Sequence, residues 1–78
     1  MNINELNAKL SENLKTQSAF ELRKYLMEYR DSSGSKDEVR FLLADMLKQF
    51  VDGEVEFDRI LELGDFNEGW CQDRFKIW

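Results

Sequence analysis

Five carboxylates, Glu54, Asp58, Glu62, Asp65 and Glu68, recur at spacings of three or four residues in the last third of a 78-residue chain. On an α-helix such spacing gathers them within an arc of about 120°, one acidic stripe along one face. A stripe of that kind can bind a basic surface or, set in a loop, ligate a cation. The cation reading fails on register. Asp52-Gly53-Glu54-Val55-Glu56-Phe57 has the glycine and aliphatic residue of the second half of an EF-hand calcium loop, but Lys48, Phe50 and Arg59 then occupy ligand positions that need oxygen donors.

Catalytic chemistry is poorly supplied. Histidine is absent from the whole chain, which removes the usual general base, the histidine-dependent triads and most zinc sites. Cys71 therefore has no imidazole to activate it, and its nearest bases in sequence are Arg74 and Lys76. A neutral thiol is expected, not a nucleophile or a metal ligand. No catalytic, cofactor or metal site is expected.

Charge is where the chain is unusual. The window from Asp52 to Glu68 holds seven acids against the single base Arg59, whereas residues 1–51 hold eight of each sign, so the net charge of −5 arises in that window. Phosphate-backbone binding needs clustered Lys or Arg. Here Arg23, Lys24, Arg30, Lys36, Arg40 and Lys48 alternate with acids as on an ordinary solvated helix surface. A basic protein is the expected partner, with no direct nucleic-acid contact.

A helix macrodipole explains some of these acids but not all. Negative charge near a helix N-terminus is favoured by about 0.3–1 kcal/mol per residue, which covers Glu54, Glu56 and Asp58 in a helix opening near Glu54. Glu62, Asp65 and Glu68 fall in the half where negative charge is disfavoured. Like-charged neighbours three or four apart cost about 0.2–0.5 kcal/mol each, so four such pairs oppose the helix by about 1–2 kcal/mol. A binding role for these acids, together with Trp78 as a candidate anchor, is the expectation that follows.

The elements that position the stripe are helical. Proline is absent and apolar residues recur at threes and fours, giving an all-α bundle of about four helices in one domain with an aromatic C-terminal tail. Helix one runs from about Ile3 to Leu14, with Asn2 as N-cap and Ile3, Leu6, Leu10 and Leu14 on one face. Ser18 and Glu21 form a capping box that opens helix two, which buries Ala19, Leu22, Leu26 and Tyr29 and stops near Asp31. A second box, Ser35 with Glu38, opens helix three, whose stripe runs from Val39 to Phe50 and which Gly53 is placed to end. Helix four opens near Glu54 and is expected to pass Gly64 and reach Asn67 or Gly69, because Phe66 and Trp70 continue the spacing of Leu63.

Trp70, Phe75 and Trp78 crowd the end of the chain. Trp70 is expected to close the bundle core, while Trp78 is open to either a core or an interface role. No apolar run exceeds four residues, so a membrane-spanning helix is excluded. The N-terminal residues lack the basic and apolar regions of a secretory signal, and a lone cysteine suits a reducing compartment, so a cytoplasmic location is expected.

The small helical pattern, the Phe50-Val51-Asp52-Gly53-Glu54-Val55 junction and the Gly69-Trp70-Cys71 and Ile77-Trp78 tail together resemble small bacterial immunity proteins. These neutralise colicin-type or contact-dependent growth inhibition toxins. The similarity covers the C-terminal third of the chain. It implies a cytoplasmic protein that binds one cognate nuclease toxin and covers its basic cleft. Two rival readings use the same sequence differently: a phage-type nucleic-acid mimic that inhibits a DNA-binding enzyme, and a structural module that homo-oligomerises.

Overall fold

The helix starts are fixed by side chains that satisfy the first free backbone amides. Asn2 accepts from the Glu5 amide at 2.8 Å and opens α1 (Ile3–Asn13). Reciprocal capping boxes, Ser18 with Glu21 and Ser35 with Glu38, open α2 (Ala19–Asp31) and α3 (Lys36–Leu47). The fourth helix, α4 (Val55–Glu68), starts without a side-chain cap and ends at Gly69, whose φ of 82° is the left-handed closure that glycine adopts most readily. A short 3₁₀ turn, Asp73–Phe75, follows. The computed structural model describes all 78 residues and contains four α-helices and no strand. None of its helices is long and apolar enough to cross a membrane.

One core joins the four helices. Leu6, Leu10 and Leu14 from the α1 stripe meet Ala19, Leu22, Leu26 and Tyr29 from α2, Val39, Leu43 and Met46 from α3, and Ile60 and Leu63 from α4. The expected stripe of helix two is therefore buried, as are Leu6, Leu10 and Leu14 of helix one, while Ile3 packs half-buried against the core. Gly64 lies inside α4, which continues through it as expected.

The third helix is shorter than its apolar spacing implied. It ends at Leu47, six residues before Gly53, and Phe50 packs half-buried against the core from the turn that follows. Gly53, with φ of 99°, belongs to that turn instead of capping the helix. A single apolar residue beyond a helix end can keep the period without keeping the helical backbone.

The C-terminal segment is docked by arginines of α2. Arg23 donates to the Phe75 carbonyl at 2.9 Å and to the Arg74 carbonyl at 3.2 Å, and Arg30 donates to the Ile77 carbonyl at 2.6 Å. Between these points Phe75 meets Phe20 edge-on, with ring centroids 5.3 Å apart, and Ile77 is buried in the core. Trp70 is not the residue that closes the bundle. It is 75% exposed, just beyond the Gly69 cap, and Ile77 fills the place expected for it.

Candidate functional site

The acidic residues divide by what holds them. Glu54 precedes the helix in extended backbone and its carboxylate turns back to accept from the Val51 amide at 2.8 Å. Glu68 is gripped by Arg40 of α3 through Nε at 2.6 Å and Nη2 at 3.0 Å, the two-point geometry that matches guanidinium to carboxylate. Glu56, outside the stripe, lies 3.9 Å from Lys15. Asp58, Glu62 and Asp65 are exposed and make no ion pair.

The stripe is thus narrower than the five-residue pattern implied. Its C-terminal member, Glu68, sits against the dipole but has Arg40 as counter-ion. No equivalent partner offsets Glu62 or Asp65, which are also like-charged neighbours on the helix surface. The one base of the window does not neutralise them either. Arg59 points the other way and donates to the Leu14 carbonyl at 2.7 Å, satisfying the C-terminal end of α1.

Beside the acids lies a feature that the sequence reading missed. A hollow of about 220 Å³ opens between α3 and α4, floored by Leu43, Ala44 and Leu47 on one side and Ile60, Leu61 and Gly64 on the other. Asp65, Asn67, Glu68, Arg40 and Trp70 complete its lining. Leu61 is 46% exposed there, with Asp58 three residues before it and Asp65 four residues after it, so both acids flank it on the helix surface. An apolar residue placed between acids, followed three positions later by a glycine with no side chain to fill the gap, was the signal for it.

At about 220 Å³ the hollow is smaller than the roughly 300–1,000 Å³ of a usual small-molecule site. It fits one or two side chains of a partner better than a cofactor. No three Asp, Glu or Cys side chains come together in a way that could hold a metal ion. No family model matches the sequence, and no curated protein or solved structure matches the chain.

Trp78 occupies a different position from Trp70. Its indole nitrogen donates to Asn67 Oδ1 at 2.6 Å while the residue remains 39% exposed. Asn67 in turn donates to the Lys36 carbonyl at 3.3 Å and is the one buried polar residue, so it links α4 to the start of α3 and to the chain end. Trp78 is fixed in orientation with part of its face in solvent, and Trp70 is the freer of the two tryptophans.

Two carboxyls are perturbed by this arrangement. Hydrogen bonding from Arg40 holds the Glu68 carboxyl below its usual range, and the Tyr29 hydroxyl, aided by Ser35, does the same for Glu38. Groups whose folded pKa is depressed stabilise the fold above the unfolded carboxylate value, near 4.3, and lose that contribution as pH falls through the lower folded value. Urea midpoints are therefore expected to hold near neutrality and to decline below about pH 4.5. Arg40→Gln should flatten part of that decline, and an unchanged pH profile in that variant would remove the Arg40–Glu68 pair as a contributor.

Proposed function

We propose that this chain is a small protein-binding inhibitor whose acidic α4 face covers a basic surface on one partner, in the manner of an immunity protein that neutralises a nuclease-type toxin. The observation that carries the reading is the set Asp58, Glu62 and Asp65, exposed and without counter-ions along α4, with Asp65 lining the apolar hollow between α3 and α4. A nuclease cleft is basic because it binds phosphates. An acidic face steers such a partner into encounter and disfavours acidic ones.

Protein selectivity is favoured over general nucleic-acid mimicry by the hollow itself. A mimic needs charge at phosphate-like spacing and gains little from exposed Leu61 and Trp70, whereas aromatic and apolar residues at the centre of a polar rim are what protein interfaces use as anchors. Glu54, Glu68 and Trp78 belong to the same C-terminal third and stand here as flanking members, with Asp58, Glu62 and Asp65 as the electrostatic centre. Within this reading the protein acts by association, without catalysis or cofactor, in the cytoplasm.

The test is a charge reversal. Glu62→Lys combined with Asp65→Lys keeps one like-charged pair but sets each new lysine beside an acid, Asp58 or Glu68, so helical content should be kept, while affinity for the cognate partner should fall by about a hundredfold or more, as for charges at a steered interface. Circular dichroism checks the first and titration calorimetry the second. Unchanged affinity in the double variant would remove the face from the mechanism.

A further inference from the structure

We infer that the hollow between α3 and α4 receives an apolar side chain carried on a basic amphipathic segment of the partner, with Lys or Arg of that segment lying over Asp58, Glu62 and Asp65. The inference rests on the acidic-face reading and adds the part of the partner that is held. Three observations specify the occupant. The floor is apolar, from Leu43, Leu47, Ile60 and Leu61. Its volume, about 220 Å³, suits one or two side chains. The one charged residue of its lining without an ion-pair partner is acidic, Asp65, since Arg40 on its rim is already bound to Glu68 and Asp37, and Asp58 and Glu62 extend that charge along the exposed surface of α4.

The geometry also says why a helix is a suitable carrier. Arg40 near the start of α3 pairs with Glu68 at the end of α4, so the two helices run antiparallel and leave a trough between them. An amphipathic helix laid along a trough reads it through apolar residues spaced by three or four. The same spacing places basic residues of its flank over Asp58, Glu62 and Asp65, which are themselves spaced by four and three. Gly64 keeps the trough open, because a Cβ built there meets no atom within 4 Å.

The experiment uses the full chain and a synthetic probe, a fluorescent peptide of about twelve residues with Leu at helical spacing and Lys elsewhere, beside a scrambled peptide of the same composition. Binding is read by polarisation and by amide chemical shifts. The probe is expected to bind saturably, shifting Ala44, Leu61 and Gly64, and the scrambled peptide to bind about tenfold more weakly or worse. Two filling variants, Gly64→Leu and Ala44→Leu, place a side chain in the trough from opposite helices. Both are expected to lower probe affinity about tenfold or more with thermal unfolding unimpaired.

Equal binding of the scrambled peptide and unchanged affinity in both filling variants would overturn the inference, and if Glu62→Lys/Asp65→Lys still abolished binding the acidic-face reading would survive alone. Loss of binding in the filling variants with no effect of the charge reversal would overturn the basic character assigned to the occupant and the acidic-face reading with it. Absence of probe binding, or trough shifts that grow with protein concentration alone, would also overturn it, the latter by making a second copy the occupant.

Discussion

Replacing Gly34 by alanine is expected to destabilise the fold by about 1–3 kcal/mol, the range for forcing extra volume into a packed site. A Cβ at Gly34 would overlap the Tyr29 ring. That ring has nowhere to go, because Tyr29 is only 3% exposed and belongs to the core, while the Gly34 amide donates to the Tyr29 carbonyl at 3.0 Å and fixes the turn against it. A chain of this length has a total stability of about 4–12 kcal/mol, so the loss is a sizeable fraction. Thermal unfolding should drop by about 5–20 °C.

Gly64→Ala is the matched control and has the opposite sign. Gly64 lies inside α4 and an added Cβ meets nothing within 4 Å, so the helix gains about 1 kcal/mol from the better propensity of alanine. The pair separates steric need from habit. If both glycines behaved alike under thermal denaturation, the placement of Tyr29 over Gly34 would be wrong.

Asn67→Ala is expected to cost about 1–3 kcal/mol, the penalty for leaving buried polar partners without hydrogen bonds. Removing its amide strands the Trp78 indole N–H, now bound at 2.6 Å, and the Lys36 carbonyl, bound at 3.3 Å. It also opens space at a position that is only 1% exposed. Because the link runs to the chain end, the loss should be accompanied by a change in tryptophan emission as Trp78 is freed. Urea unfolding followed by fluorescence reads both. A wild-type midpoint with unchanged emission would show that the docked tail does not depend on Asn67.

The helices were legible because their signals are local. Capping boxes at Ser18 and Ser35 form between residues three apart, and the stripes of Leu6, Leu10 and Leu14 or Val39, Leu43 and Met46 follow from periodicity alone. Where helix three stops was less legible, since Phe50 keeps the period from a turn. The tail was misread at Trp70 for a tertiary reason. The choice between Trp70 and Ile77 for the remaining core space depends on Arg23 and Arg30 reaching residues 74, 75 and 77, contacts across about fifty positions that no local pattern encodes.

The acids show the same division. That Asp58, Glu62 and Asp65 share a face follows from spacing, whereas the assignment of Glu68 to Arg40 required the packing of α4 on α3, and that of Arg59 to the Leu14 carbonyl its reach to the end of α1. Those two long-range contacts take one acid out of the free set and deny the remaining acids their only local base. The hollow beside them belongs to neither helix alone. It exists because Ala44 and Gly64, both small, line the space between α3 and α4.

Affinity capture from a source lysate at low and at high salt, with the wild-type chain and with Glu62→Lys/Asp65→Lys, tests the acidic face most directly. Screening weakens exposed charge interactions and leaves apolar contacts in place. The wild type is expected to take up one basic nuclease-like protein, to retain it in part at high salt, and to lose it when the two acids are reversed. Capture of many basic proteins that all wash off together would contradict selective recognition, and retention of the same partner by the reversed variant would contradict any role for the face.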